Sequence, residues 1–335
     1  MPLARRLPRN LTERIAPGGF PLCPAGLSAP MRSPTPLALP TDARADSRSA
    51  ARFADFRELL KPGIASFVVV MAAASYLLGS DGAIDWRTLG GLMLGTALTA
   101  GGAGALNQVA ERDHDRRMAR TRGRPIPAGR VSPLTASLYG VGLAAAGGIV
   151  LALTTNPLTT ALALLTVALY VVVYTPIKRR SVHNTLVGAV PGALPALGGA
   201  AAASGALDAT GWALFAILYL WQLPHFYALA WMLREDYREG GFKMLPGLAG
   251  GRRRTAQLSL AAALLLLVAG MLPGALGATG MVYVAGMAAL GVLFAVPAFS
   301  FYAETTDETA RRLFLASVAW VPGFFALVVV DLLVR

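Results

Sequence analysis

The most regular feature of the sequence is a series of long apolar stretches separated by short polar ones. Each stretch is about as long as the ~20 residues that an α-helix needs to cross a bilayer. The nine stretches lie approximately at 63–80, 88–109, 133–152, 158–176, 182–203, 211–232, 256–277, 281–299 and 313–334. Prolines at 191 and 195 interrupt the fifth, but membrane helices tolerate proline where neighbours satisfy the backbone. The pattern predicts an all-α, polytopic membrane bundle of nine transmembrane helices within residues 51–335.

Composition and charge agree with a bilayer as the main partner. Charged residues make up 14% of the chain, against about 25% in a soluble protein. The net charge of +12 would be compatible with nucleic acid, but the basic residues lie between the apolar stretches and near the N-terminus. That placement favours contact with anionic lipid and control of topology, and not a nucleic-acid partner.

Basic residues alternate between the connecting loops. Arg and Lys cluster in the loops after the second, fourth, sixth and eighth stretches, whereas the other loops contain almost none. By the positive-inside rule, the N-terminus and these four basic loops are cytoplasmic and the C-terminus is outside. The expected location is a bacterial cell (inner) membrane.

The first fifty residues differ from the rest. Residues 1–50 are rich in Arg, Pro and Ser and lack an apolar core long enough for a secretory signal. They are predicted to be a disordered N-terminal extension, or to reflect a misassigned start upstream of Met31. The alternative is an organelle transit peptide, which would place the protein in the mitochondrial inner membrane.

A first acidic motif begins inside the end of the second stretch. At 100° per residue, Asn107, Glu111 and Asp115 lie within about 80° of one another on a helix, whereas Asp113 points elsewhere. Carboxylates at the mouth of a membrane helix are costly unless a cation binds them. Mg²⁺ suits such oxygens and usually shares its ligands with a substrate phosphate. The alternative is a solvated loop in which the acids and arginines pair with one another.

Two further polar motifs follow the sixth and fourth stretches. Glu235 and Asp236 repeat the arrangement of carboxylates followed by basic residues, as if the two acidic motifs were halves of an internal repeat. They could face each other and hold a pair of Mg²⁺ ions around one diphosphate, whose charge the metal would neutralise. After the fourth stretch, Lys178 and a neighbouring arginine either serve topology alone or reach the same diphosphate.

These residues resemble the membrane-bound prenyltransferases of the UbiA superfamily, and within it the branch that farnesylates haem. The resemblance covers residues ~55 to 335. It is carried by Leu60-Lys61-Pro62, the run from Asn107 to Pro125, Tyr174-Thr175, Lys178-Arg179, Asn184 with Gly188, Pro191-Gly-Ala-Leu-Pro195, Pro224-His225-Phe226, Asp236-Tyr237 and Gly241-x-x-Met244-Leu245-Pro246.

The resemblance implies nine helices around a central cavity and a Mg²⁺-dependent reaction. A farnesyl group would pass from farnesyl diphosphate to the 2-vinyl group of haem b, giving haem O, the precursor of haem A. Haem A synthase is then an expected partner. Alternative functions are prenylation of a quinone or chlorophyll precursor, and a non-enzymatic transporter or haem-binding membrane protein.

The resemblance also implies roles for individual residues. The metal ligands would be Asn107, Glu111, Asp115, Glu235 and Asp236, although the family more often has aspartate at the two glutamate positions. Catalysis would involve Asn107, Glu111, Asp115, Lys178 and Asp236. The diphosphate would be bound by Arg120, Arg124, Tyr174, Lys178 and Arg179. The haem acceptor would be bound by His225, Phe226 and Asn184.

The histidines are interpreted separately. His225 either forms a hydrogen bond within the bundle or ligates or orients the haem iron, because neutral imidazole is a common haem ligand. His114 and His183 lie at loop edges and are predicted to be surface groups.

Overall fold

A computed structural model describes residues 52–335, and it is a bundle of helices. In this part of the chain nine helices are long and apolar enough to cross a membrane, which confirms the predicted fold. Labelled α1 to α9 in chain order, they are Pro62–Gly79, Trp86–Asp115, Pro133–Thr154, Pro157–Ile177, Asn184–Ser204, Ala209–Met232, Gly251–Ala275, Met281–Glu304 and Asp307–Val334. The expectations for residues 1–50 lie outside the described residues.

Several helices begin where a polar side chain caps their first turn. Asp85, Ser132, Asn156, Asp208 and Thr306 each accept a hydrogen bond from a backbone N–H of the helix that follows. Such caps satisfy N–H groups that have no partner within the helix. Proline follows the cap at the start of α3 and α4, where its missing N–H costs nothing. Polar capping residues therefore set the ends of spans that the apolar pattern locates only roughly.

Prolines leave α5 unbroken, and α4 changes its winding near its end. Pro191 and Pro195 both lie inside the continuous helix α5.

In α4 the stretch Leu169–Tyr174 is π-helical, and Thr175 Oγ1 donates to the Tyr170 carbonyl at 2.8 Å. Short π-helical stretches are frequent at functional sites, and this one ends one helical turn before Lys178.

The connections α2–α3, α4–α5, α6–α7 and α8–α9 lie at the same end of the bundle, which we call the basic end. Two short helices, Arg234–Glu239 and Leu245–Gly247, form part of the α6–α7 connection. The Lys243 N–H in that connection donates to the Lys178 carbonyl at 2.9 Å and so joins it to the end of α4. The basic end therefore brings together segments that are far apart in sequence.

Candidate active site

The first acidic motif forms a buried polar strip on α2. The helix continues to Asp115, six residues beyond the predicted end of its apolar stretch, and Asn107, Glu111 and Asp115 are all buried. Asp113 is 61% exposed and pairs with arginines 112 and 116 on the surface. The predicted division of these side chains between two faces of the helix is confirmed.

Three cations surround this strip. Lys178 Nζ lies 2.9 Å from Glu111 Oε1, and an Arg124 guanidinium nitrogen lies 2.8 Å from Asp115 Oδ2. Lys61 Nζ donates to Asn107 Oδ1. Burial alone would lower the pKa of Lys178, but the Glu111 carboxylate outweighs it and holds the pKa well above its usual value. Lys178 is therefore a fixed positive charge.

Lys61, which precedes α1, is a member of the site that the sequence interpretation did not assign. Its φ of 49° lies in the left-handed region, where a non-glycine residue is strained. Burial, and next the nearby Arg124 guanidinium, lower the pKa of Lys61 to about 7. The sequence indicates this role only through the run Leu60-Lys61-Pro62, which resembles the family and directly precedes an apolar stretch.

The end of α4 is fastened to the strip. Asn107 Nδ2 donates to Thr175 Oγ1 at 2.9 Å, which ties α2 to the turn that precedes Lys178. The Lys178 ammonium also lies 4.6 Å from the centre of the Tyr174 ring, within the range of a cation–π contact. Tyr174, Thr175 and Lys178 therefore act together to place one charge against Glu111.

The structure brings the second acidic motif next to the first. Arg120 Nε lies 3.5 Å from Asp236 Oδ2, and Met118 packs in one buried cluster with Phe242. Glu235, by contrast, is 66% exposed and pairs with Arg238. Only one of the two carboxylates after α6 therefore turns toward the strip.

His114 is the largest departure from the sequence interpretation, because it is not a free surface group. Its Nδ1 lies 2.6 Å from the Gly240 carbonyl, and an Arg179 guanidinium nitrogen lies 3.2 Å from its Nε2. The guanidinium can only donate, so Nε2 accepts and the ring proton is on Nδ1. A neutral His114 thus joins α2, the α4–α5 connection and the α6–α7 connection, which no local pattern of sequence reveals.

The three residues predicted to contact haem do not share one place. Asn184 Nδ2 donates to the Ser181 and Lys243 carbonyls, 2.8 and 2.7 Å away, and so fastens loops together at the basic end. His225 lies within α6 and contacts Ser317 of α9, with Nδ1 2.7 Å from Oγ. Phe226 beside it is 38% exposed.

The donor atoms of the strip suit Mg²⁺ when an anionic substrate supplies the remaining ligands. No three His, Cys, Asp or Glu side chains within residues 52–335 form a group that could hold a metal alone. However, Asp115 Oδ1 and Asp236 Oδ2 are buried and accept no hydrogen bond from any described residue. Mg²⁺ prefers hard oxygen ligands and is commonly held by one or two carboxylates together with substrate phosphates.

A small apolar cavity of about 40 Å³ lies inside the bundle. It lies among α1, α2, α3, α4 and α5, and Ala103 in its wall is one helical turn before Asn107. The lining also includes Thr99, Leu151 and Leu194. A ligand with an anionic head in the strip would therefore meet an apolar wall one helical turn away along α2.

The fold and the site together define an integral membrane protein with a buried cluster of cations and carboxylates at one end of its bundle. A family model described as "UbiA prenyltransferase family" matches residues 67–327. The chain belongs to the UbiA prenyltransferase family, and it is a prenyltransferase.

Relatives from several organisms cover most of the chain. It is 47% identical over 277 residues to a protein of Salinibacter ruber named protoheme IX farnesyltransferase, a match that covers 83% of this chain and 98% of that protein. The match to a protein of the same name from Solibacter usitatus is 39% identical and covers 83% and 98%. A mitochondrial protein of that name from Arabidopsis thaliana is 38% identical, covering 80% of this chain and 63% of that protein.

Solved structures show the same fold at low sequence identity. A digeranylgeranylglyceryl phosphate synthase superposes with a TM-score of 0.71 at 16% identity, covering 85% of this chain and all of that one. A UbiA homologue from Archaeoglobus fulgidus, bound to GPP and Mg²⁺, superposes with a TM-score of 0.61 at 17% identity and covers 82% and 99%. These similarities concern the fold alone.

Proposed function

We propose that this chain transfers a farnesyl group from farnesyl diphosphate to the 2-vinyl group of protohaem IX, which makes haem O. The observation that carries the proposal is the buried strip of Asn107, Glu111 and Asp115, with three cations around it and an apolar region of α2 one helical turn away. The relatives named protoheme IX farnesyltransferase, which match nearly their whole length, support haem as the acceptor.

The diphosphate is proposed to lie between the two acidic motifs. Lys178 and Arg124 already face the strip, and Arg120 and Arg179 lie at its edge, held by Asp236 and His114. These side chains offer the directed hydrogen-bond donors that phosphate oxygens accept. When the carbon–oxygen bond to C1 of the farnesyl group breaks, its electron pair stays on the diphosphate, whose added negative charge the cations stabilise.

Asn107, Asp115 and Asp236 are the proposed metal ligands, with Glu111 beside them. Bound there, Mg²⁺ would neutralise the charge of the diphosphate and so improve it as a leaving group. Glu111 is already paired with Lys178. Glu235 pairs with Arg238 at the surface, and we therefore leave it out of the proposed ligand set.

The farnesyl chain is proposed to extend from the strip along α2 toward the small apolar cavity. Its walls carry threonines and aliphatic side chains but no charged residue, so they exclude ionic groups from the reacting carbon. The vinyl group of the acceptor supplies the electron pair for the new carbon–carbon bond at C1. The cation that this leaves on the vinyl carbon next to the porphyrin is captured by water, which loses a proton and leaves a hydroxyl group. Both substrates are membrane-soluble, which explains why the site lies at the mouth of a membrane bundle.

We further propose that the basic end faces the cytoplasm of a bacterial cell, with the protein in the inner membrane and haem A synthase as its partner. The charge asymmetry of the loops supports this orientation. In that case the diphosphate head of farnesyl diphosphate faces the cytoplasm, while its farnesyl chain stays in the membrane.

The direct test is a reaction of membranes containing the chain with haem b, farnesyl diphosphate and Mg²⁺, followed by mass analysis of the haem. Formation of haem O supports the proposal. Prenylation of an added phenolic quinone precursor, with haem b unchanged, would reassign the acceptor. Haem binding without any prenyl transfer would contradict the proposed reaction.

Variants of the two aspartates in the first motif sharpen this test. Asp115→Asn should abolish haem O formation, whereas the matched change Asp113→Asn, on the exposed face of the same helix, should retain it. Equal activity of both variants would remove the strip from the mechanism.

A further inference from the structure

The buried side chain of Gln108 lies on α2 next to the strip, but it binds a different part of the chain. Its Nε2 donates to the Glu58 carbonyl at 3.1 Å and to the Leu59 carbonyl at 3.2 Å. Both carbonyls belong to the last turn of a helix that precedes α1 and ends at residue 59. Pro62 has no N–H, so the Glu58 carbonyl cannot accept the hydrogen bond that a continuing helix would provide. Gln108 therefore supplies donors to a helix end that needs them.

The same turn packs closely against the backbone of α2. A methyl group added at Gly104 would lie 3.2 Å from the Leu59 carbonyl oxygen and 3.3 Å from that of Leu60. The Leu59 side chain is fully buried, in one cluster with Ala105. Gly104 precedes Gln108 by one helical turn, so the two share a face of α2. That face therefore holds the turn by close packing at one level and by two hydrogen bonds at the next.

The fixed turn determines where Lys61 points. Lys61 has φ 49° and ψ 61°, a left-handed conformation that a lysine keeps only when surrounding contacts hold it. From this conformation its Nζ donates to Asn107 Oδ1 on α2. Two neighbouring amides of α2 thus hold one segment, because Gln108 binds its backbone and Asn107 binds the ammonium group that follows.

We propose that Gln108 is a positioning residue, which fixes the turn before α1 so that the Lys61 ammonium faces the diphosphate site. The inference rests on the proposed function, because the diphosphate is the ligand that gives this charge its role. A glutamine that only stabilised the bundle would also lower the affinity for the diphosphate when replaced. In that case, however, its effect would be the same whether or not Lys61 carried a charge.

The test is a double-mutant cycle on Gln108 and Lys61 with the full chain in lipid nanodiscs. The quantity to measure is the Kd of an unreactive farnesyl diphosphate analogue with Mg²⁺. Lys61→Met should weaken binding about 10- to 100-fold, as the loss of a hydrogen bond to a charged group does. Gln108→Leu should weaken it about fivefold or more in the wild type but less than about twofold in the Lys61→Met background. Gln257→Leu, an exposed glutamine of α7, is the matched control and should leave the Kd unchanged.

Gly104→Ala disturbs the same turn without removing a buried hydrogen bond, and it covers the case in which Gln108→Leu fails to fold. Its methyl group would press on the Leu59 and Leu60 carbonyls, so it should weaken binding of the analogue in the wild type. In the Lys61→Met background it should change the Kd less than about twofold.

Three results would overturn the inference. In the first, Gln108→Leu and Gly104→Ala both keep the wild-type Kd. In the second, they weaken binding equally with and without the Lys61 charge, as expected of a general loss of structure. In the third, Lys61→Met binds the analogue as well as the wild type. If the wild type makes haem O while any of these holds, the positioning role is wrong and the proposed function stands. A wild type that neither binds the analogue nor makes haem O would contradict both.

Discussion

Lys178 Nζ lies 2.9 Å from Glu111 Oε1, and both side chains are buried at the end of the bundle where the basic loops meet. The pair joins a carboxylate of α2 to a cation that follows α4. Removing one member of a buried pair leaves the other charge uncompensated, which is far costlier than losing an exposed pair. The pair is therefore a sensitive point for both substrate binding and turnover.

Substitutions of the two members of this pair should have different effects, one on the KM for farnesyl diphosphate and the other on turnover. Lys178→Ala should raise the KM for farnesyl diphosphate about 10- to 100-fold, because a hydrogen bond to a charged group contributes about 1.5–3 kcal/mol. Glu111→Gln should abolish turnover while the protein still inserts in the membrane. Lys243→Ala, an exposed lysine of the α6–α7 connection, is the control. A change in haem affinity alone in Lys178→Ala would show that the lysine has another role.

His114 should affect the diphosphate and not the acceptor. His114→Ala removes the acceptor of the Arg179 guanidinium, so we expect kcat/KM for farnesyl diphosphate to fall about tenfold or more, with the KM for haem unchanged. Arg179→Ala should lose more, because it also removes a contact with the diphosphate, and the double variant should lose no more than Arg179→Ala alone. Fully additive losses would show that the two residues act independently.

The lowered pKa of Lys61 predicts that the affinity for the diphosphate substrate depends on pH. Burial lowers the pKa of Lys61 to about 7, so its positive charge is present below that pH and is lost as the pH rises through it. A bound diphosphate favours the charged form, and affinity should therefore fall above pH 7, by at most about tenfold per pH unit for one linked proton.

The measurement for Lys61 is the Kd of an unreactive farnesyl diphosphate analogue from pH 6 to pH 9. Lys61→Arg is the comparison, because arginine stays charged throughout this range and the analogue titrates equally in both experiments. The ratio of the two affinities should change with pH. Parallel profiles would mean that Lys61 does not titrate in the site.

Helices α1 and α5 pack closely against each other at Gly199. A methyl group added at Gly199 of α5 would lie 2.1 Å from the Ala72 carbonyl oxygen of α1, which is backbone and cannot rotate away. Gly199→Ala should therefore destabilise the bundle by about 1–3 kcal/mol and lower its Tm in detergent. Gly142→Ala on α3, where the added methyl meets nothing within 4 Å, should leave the Tm unchanged or raise it. Equal Tm values for the two variants would argue against this packing.

The sequence predicts the helices well because each of them must separately present about 20 mostly apolar residues to the bilayer. All nine apolar stretches correspond to spans, and α5 stays helical through Pro191 and Pro195. The face shared by Asn107, Glu111 and Asp115 also follows from helical periodicity alone, and all three side chains are buried.

The contacts between elements could not be predicted, because they join residues that are far apart in sequence. His114 reaches Gly240, 126 positions away, and Lys61 reaches Asn107, 46 positions away. The difference between Glu235 and Asp236 depends on the exact turn of a six-residue helix, to which apolar periodicity gives no guide. Resemblance to a family indicates which residues take part in function, whereas the three-dimensional structure shows which of them are in contact.

The central claim is that the two acidic motifs form one diphosphate site, and a double-mutant cycle on Asp115 and Asp236 tests it most directly. The quantity to measure is the calorimetric Kd of the unreactive farnesyl diphosphate analogue with Mg²⁺, for the wild type, Asp115→Asn, Asp236→Asn and the double variant. A shared site predicts that the double variant binds little worse than either single one, with a coupling of about 0.5–3 kcal/mol. Losses that add within about 0.5 kcal/mol would contradict it.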